Sequence, residues 1–272
     1  MGSTGAGKST FVNAVSGKAQ ATVGHEIDAC TKNVQEVTID DPDILKSMYP
    51  QNARLHIVDT PGFDSCTKDD EENLKTIEKW LKESYGLDAL LGIIYLQDIS
   101  LARCNGTAKR NLQMFKNLCG KKALRNVVFG LTKGGRVNDP ELLKTRTESF
   151  KHTEGRHTKG EGVEAEVFHV PDVNSTEHSR KVVTHLLTCY CRSIVLHIQN
   201  EFIQKRIPVP NIKAGQELSM TIKQLLDAQK RYSQFSTATN LEEARQATNS
   251  LSTQLKKLKV PLSKRILRFF GF

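Results

Sequence analysis

The chain predicts an α/β fold, a mostly parallel sheet covered by helices on both faces, and three observations carry that prediction. Apolar runs of strand length alternate with segments whose apolar residues recur at helical spacing. The first helical segment follows Gly2-Ser3-Thr4-Gly5-Ala6-Gly7-Lys8-Ser9, which fits G-x-x-x-x-G-K-[ST]. Asp59-Thr60-Pro61-Gly62, a D-x-x-G, closes a strand-like run fifty residues beyond Ser9. In open α/β sheets ligands gather at the carboxyl ends of the strands, which is where both motifs fall.

After the loop, "STFVNAVSG" reads as a helix with Phe11, Val12 and Val15 as its apolar side and Gly17 as its stop. "GHEIDACTKNVQEVTI" passes from a polar loop into a partly alternating strand, with Gln35, Val37 and Ile39 on one face and Val34, Glu36 and Thr38 on the other. In "ARLHIVDTPGF" the apolar residues Leu55, Ile57 and Val58 run straight into Asp59. Leu74, Ile77, Trp80 and Leu81 mark the next helix, "ALLGIIYL" a buried parallel strand, and Leu112, Phe115 and Leu118 a further amphipathic helix. "NVVFGLTK", a helix through "PELLKTRTESF" that starts at Asp139-Pro140, "AEVFHV", and a long helix from about Glu177 to Arg206 complete the alternation.

This rhythm assigns residues 1–200 to the α/β domain and 201–272 to a helical extension, with Pro208 and Pro210 as the hinge. The extension has apolar faces on Leu218, Ile222, Leu225 and Leu226, and on Leu241, Ala244, Ala247, Leu251, Leu255 and Leu258, too few heptads for a full coiled coil. Its last stretch, 256–272, interleaves Lys256, Lys257, Lys259, Lys264, Arg265 and Arg268 with Leu262, Ile266, Leu267, Phe269, Phe270 and Phe272. Two readings stand for it: a basic amphipathic segment on an anionic membrane surface, or a terminal helix docked on the core.

Across 272 residues, 39 Lys and Arg against 30 Asp and Glu give a net charge of +9, a mild pull toward anionic partners. No zinc-finger spacing and no RNA-binding aromatic motif accompanies that charge, so a nucleic-acid partner is not expected. Six cysteines, Cys30, Cys66, Cys104, Cys119, Cys189 and Cys191, have no framework spacing and read as free cytosolic thiols. Cys189-x-Cys191 is too tight for a zinc knuckle and reads as packed thiols on a helix. No apolar run approaches the length of a membrane span.

The chemistry concentrates in the loop and its companions. Lys8 would reach the β and γ phosphates of a nucleotide, Ser9 would hold Mg²⁺, and the helix dipole points its positive end at the charge. Asp59 would hold Mg²⁺ through water, and the N–H of Gly62 would meet the γ-phosphate. Thr31, in the loop before the second motif, would close on Mg²⁺ and the γ-phosphate in the triphosphate state.

With "DTPGFDS", "LGIIYLQDIS", "GTAKRNLQMFKNLCG" and "NVVFGLTK", these residues resemble the septin-like, immunity-associated (GIMAP/AIG-type) P-loop GTPases, the fungal relatives especially, over about residues 2 to 200. The resemblance implies a G domain that binds GTP and Mg²⁺, dimerises across the nucleotide and acts at a membrane, placing the protein in the cytoplasm or peripherally on a membrane. It implies nucleotide contacts from Gly2, Ser3, Thr4, Gly5, Ala6, Gly7, Lys8, Ser9, Thr10, Thr31, Gly62, Thr132 and Lys133, and metal contacts from Ser9, Thr31 and Asp59.

Three departures qualify this. Where such GTPases read guanine through [NT]-K-x-D, this chain has Thr132-Lys133-Gly134-Gly135, so the base-reading carboxylate is missing. Losing that charge-assisted pair should cost about 1.5–3 kcal/mol and much of the preference for guanine. Phe63 follows Gly62 where a glutamine would orient water, so hydrolysis is expected to be slow or partner-dependent. Finally, a P-loop hangs from a buried strand, yet only Met1 precedes Gly2, and an amino-terminally truncated chain is expected. Two functions follow: a nucleotide-dependent switch with weak hydrolysis, or a non-catalytic interaction module descended from one.

Overall fold

A computed structural model of the chain describes residues 1–23, 33–46, 54–62, 70–84, 89–100, 106–121, 123–155 and 165–189, with isolated positions from 194 to 253. In chain order the elements are α1 (Lys8–Ser16), β1 (Gln35–Ile39), α2 (Pro42–Leu45), β2 (Leu55–Asp59), α3 (Asp70–Glu83) and β3 (Ile93–Asp98). There follow α4 (Gly106–Cys119), β4 (Val127–Thr132), α5 (Pro140–Phe150), β5 (Glu166–Val170) and α6 (Thr176–Cys189). Thr31, Phe63, Cys191, the continuation of α6 toward Arg206 and the basic segment 256–272 lie outside the described residues. Among the described residues no helix is long and apolar enough to cross a membrane.

Local signals set the helix ends. Gly17 adopts the left-handed conformation that stops α1, its N–H bonding the Asn13 carbonyl. Asp139 caps α5 by accepting the N–H groups of Glu141 (3.0 Å) and Leu142 (3.3 Å), with Pro140 in the first turn. Asp41-Pro42 does the same for α2, a short helix that the spacing of apolar residues alone did not reveal.

Strands β3, β4 and β5 form a parallel block, Tyr95 opposite Phe129 and Phe129 opposite Val167. The period-two alternation of these strands divides the core. On one face Ile93, Tyr95, Val127, Phe129 and Leu131 join Leu74, Ile77, Leu112, Phe115 and Leu118 of α3 and α4. On the other, Leu96, Val128 and Val170 meet Phe11, Val12 and Val15 of α1 and Val182, Val183, Leu186 and Leu187 of α6. Helices therefore cover both faces, as the alternating sequence requires.

The sheet differs from a wholly parallel one at its other side, where β1 and β2 pair antiparallel with Val37 opposite Ile57. The β1–β2 pair and the β3–β5 block are separate sheets. Between β2 and β3 lies a cleft of about 450 Å³, lined by Phe11, Leu55, Ile57, Ile93, Leu96 and Leu187 among others. Met1 contributes to its lining. The Met1 amine donates to the Ile94 carbonyl (2.8 Å), the Leu96 N–H donates to the Met1 carbonyl (2.9 Å), and Gly2 makes a parallel bridge to Leu96. Residues 1 and 2 thus run alongside β3 and lead into the P-loop.

Candidate functional site

The site is built where α1 begins. Gly5 (φ 76°) and Gly7 (φ 91°) take left-handed conformations, and a Cβ on Gly7 would come within 3.2 Å of the Val173 side chain. No side chain at Gly7 caps α1, and a helix N-terminus favours an anion through its dipole. Lys8 folds back over the loop, its Nζ donating to the Ser3 carbonyl (2.9 Å). Thr132, fully buried at the end of β4, donates its hydroxyl to the carbonyls of Ala6 (3.0 Å) and Gln97 (3.3 Å). That hydroxyl braces the loop from beneath.

The two motifs meet as the sequence requires. Ser9 Oγ donates to Asp59 Oδ2 at 2.5 Å, joining the start of α1 to the end of β2. Asp59 is only 1 % exposed, and its second oxygen, Oδ1, has no hydrogen-bond partner among the described residues, nor has the buried hydroxyl of Thr60. A buried carboxylate oxygen left without a partner costs about 1–3 kcal/mol or more, so Asp59, with the Ser9 hydroxyl beside it, offers hard oxygen donors that fit a divalent cation such as Mg²⁺. Gly62 lies against the loop so closely that a Cβ there would sit 2.7 Å from Thr4 Oγ1, 2.8 Å from Lys8 Nζ and 2.9 Å from Thr4 Cα. Its carbonyl accepts a hydrogen bond from Asn73 Nδ2 of α3 (2.7 Å), which anchors the segment.

On the base side, Lys133 has φ 59°, the only non-glycine residue described with a positive value, and its Nζ pairs with Asp98 Oδ2 at 2.9 Å. Strained backbone of this kind gathers at ligand sites. Although burial opposes it, hydrogen bonds from Ser100 and Lys133 hold the Asp98 carboxyl below its ordinary range. A Cβ on Gly134 would collide with His169 Nε2, whereas one on Gly135 would meet nothing within 4 Å. Partial burial, helped by His178, lowers the pKa of His169.

Of the sequence-derived residues, Gly2 to Thr10, Asp59, Gly62, Thr132 and Lys133 converge here, while Thr31 lies outside the described residues. Asn73, Asp98, His169 and Val173 were not singled out from sequence. Asp98 ends a strand that was recognised, and this position at a carboxyl end was the one available signal.

A profile of the AIG1 family matches residues 1–153, which takes in the P-loop, the D-x-x-G and the base-side turn. The chain belongs to the AIG1 family. No curated protein sequence matches it significantly. Among solved structures, this AIG1 chain resembles Toc33 from Arabidopsis thaliana in complex with GDP and Mg²⁺ at TM-score 0.55 and 17% identity, covering 72% of this chain and 85% of that one. Toc33 with Mg²⁺ and GMPPNP follows at TM-score 0.53 and 14% identity, covering 72% and 85%. A structure of the chloroplast translocon components atToc33 and psToc159, whose dimerization is important for their GTPase activity, gives 0.54 and 15%, covering 72% and 84%. At these identities the likeness establishes a P-loop GTPase-type α/β fold for the AIG1 chain.

Proposed function

We propose that this AIG1-family chain is a GTP-binding, Mg²⁺-dependent switch whose own hydrolysis is slow until a partner, a second copy of the chain foremost, completes the site. The observation that carries this reading is the contact of Gly62 with Thr4 and Lys8, beside the Ser9–Asp59 hydrogen bond. Through these contacts the segment ending β2 would register the terminal phosphate. Ser9 and Asp59 would hold Mg²⁺, which supplies charge neutralisation across the β and γ phosphates. Lys8 and the first-turn N–H groups of α1 would bind the phosphates, and the Gly62 N–H would orient the last of them. Dimerization in the Toc33 relatives supports a second copy as the partner.

Base recognition is the weaker part of the site. Gly135 offers no carboxylate, and the Asp98 carboxylate is engaged by Lys133 and Ser100. GTP and ATP should therefore bind within about tenfold of each other, near 1.4 kcal/mol. Titration of fluorescent analogues of both nucleotides, with Mg²⁺ and with chelator, tests the proposal. Binding that needs Mg²⁺ and is lost in Lys8→Ala is expected, and a thousandfold preference for GTP would overturn the account of the base site. Peripheral attachment through 256–272 is part of the same proposal, supported by that segment's six basic residues. Liposome co-sedimentation of the full chain against one ending at Leu255 should show loss of binding to anionic vesicles, and equal pelleting would refute it.

A further inference from the structure

A second constellation of ligating groups lies at the other end of the sheet. Glu166 opens β5, and His185 and Cys189, four residues apart on α6, share a helix face turned toward it. One ligand atom from each lies within 4.8 Å of the others. Because β5 runs from Glu166 toward Val170, and the loop beyond it places Val173 against Gly7, this cluster and the P-loop sit at opposite ends of the strand.

We propose that Glu166, His185 and Cys189 form a zinc site with three protein ligands and one position open to solvent. The chemistry selects the ion: a thiolate, an imidazole and a carboxylate suit a borderline-soft divalent cation, and disfavour the hard Mg²⁺ of the nucleotide site. The sulfur–nitrogen separation fits as well. Ordinary Zn–S and Zn–N bonds at the tetrahedral angle separate sulfur from nitrogen by about 3.5 Å. Cys189 Sγ lies 3.5 Å from His185 Nε2. The same Nε2 contacts Glu166 Oε2; the ion takes the Nε2 lone pair, the proton of that contact passing to Nδ1 or to water, Glu166 draws back to its own ligand distance, and the Cys189 thiol releases its proton to water. The imidazole is held in place by the ring of Phe168, with centroids 4.7 Å apart. His185 and Glu166 side chains remain 29% and 43% exposed, which leaves access for the ion and for a water in the fourth position. Occupied, the site ties the last turn of α6 to the start of β5.

The test uses the full chain, reduced and stripped with chelator. One equivalent of Co²⁺ should give the visible bands of a four-coordinate ion and a thiolate-to-cobalt charge-transfer band, both displaced by Zn²⁺. Cys189→Ser should abolish the charge-transfer band. His185→Ala should weaken zinc at least tenfold in competition with a chromophoric chelator, with Mg²⁺-nucleotide binding unchanged as the check on folding. A charge-transfer band that survives in Cys189→Ser, or none in the unaltered chain, would overturn the assignment. Should His185→Ala fail to fold, the Cys189→Ser spectrum decides alone.

Discussion

Gly62→Ala isolates the contact on which the switch reading depends. Non-bonded carbons rest about 3.5–4.0 Å apart, so a methyl group 2.9 Å from Thr4 Cα forces the two backbones apart by about 0.6–1 Å. The tips of Thr4 and Lys8, 2.7 and 2.8 Å from that methyl, are able to swing aside, but the Thr4 backbone is fixed within the loop. The Gly62 segment cannot simply retreat, because Asn73 holds its carbonyl at 2.7 Å. The displaced N–H then misses the terminal phosphate, a charge-assisted hydrogen bond worth about 1.5–3 kcal/mol, or about 10- to 150-fold in affinity. A diphosphate has no group at that position, so its affinity should fall by far less. Anisotropy titration with fluorescent GDP and a non-hydrolysable GTP analogue reads the ratio directly. Gly135→Ala, whose Cβ meets nothing within 4 Å, is the matched control and should leave both affinities unchanged. Equal loss of both nucleotides in Gly62→Ala, or no loss of either, would refute the reasoning.

Three further outcomes are expected. Asp59→Asn keeps the shape beside Ser9 but removes the buried charge, so the Mg²⁺ concentration needed for half-maximal nucleotide binding should rise at least tenfold in a metal titration, about 1.4 kcal/mol. Phe129→Ala empties a fully buried position ringed by Tyr95, Phe115 and Phe150 at centroid distances of 5.8, 6.3 and 5.5 Å, and should cost about 3–5 kcal/mol by urea unfolding. In a chain that begins at Met1, burial and then the nearby charge of Lys8 lower its amine from 8.0 to about 5. Between those values the unfolded chain binds a proton that the folded chain refuses, so stability falls as pH drops from 8 toward 5, by up to about 4 kcal/mol. Burial raises Glu78 to about 7, which pulls in the opposite direction, so the amino-acetylated chain is the reference in paired urea titrations at pH 8 and pH 5.5.

Much of this architecture was legible because single segments carry it. The apolar faces of α3 and α4 follow helical spacing, and Leu74, Ile77, Leu112, Phe115 and Leu118 are all buried. Gly17 and Asp139 act through the nearest few residues, so their roles as stop and cap could be read locally. The P-loop and the D-x-x-G were recognisable because each is a pattern of particular residues at fixed spacing, and the fold brings Ser9 and Asp59 together. Asn73, Asp98 and His169 were not, because each acts through a partner brought close by the fold: Gly62, Lys133 and Gly134. Arg180 is a similar case, joining α6 to the Val15 carbonyl (3.1 Å) and to Asp41 (2.8 Å) with no local signature. The antiparallel sense of β1 and β2 was hidden for another reason, since a strand's sequence reports its burial and not the direction of its neighbour. Glu166, His185 and Cys189 show how the two cases combine: the helical pair has a spacing that is readable, and its third member comes from a strand nineteen residues before His185.

The division of the sheet bears on how the site would work. Strands β3, β4 and β5 form one hydrogen-bonded block, to which the P-loop is fastened at Met1 and Gly2 and through the Thr132 hydroxyl. Asp59 ends β2 of the other unit, the β1–β2 pair, and Gly62 follows it. The Ser9–Asp59 hydrogen bond and the packing of Gly62 on Thr4 and Lys8 join the two units across the nucleotide position. On the proposed function, Mg²⁺ and a terminal phosphate would add contacts to both the P-loop and the D-x-x-G segment, and their loss would remove both sets together.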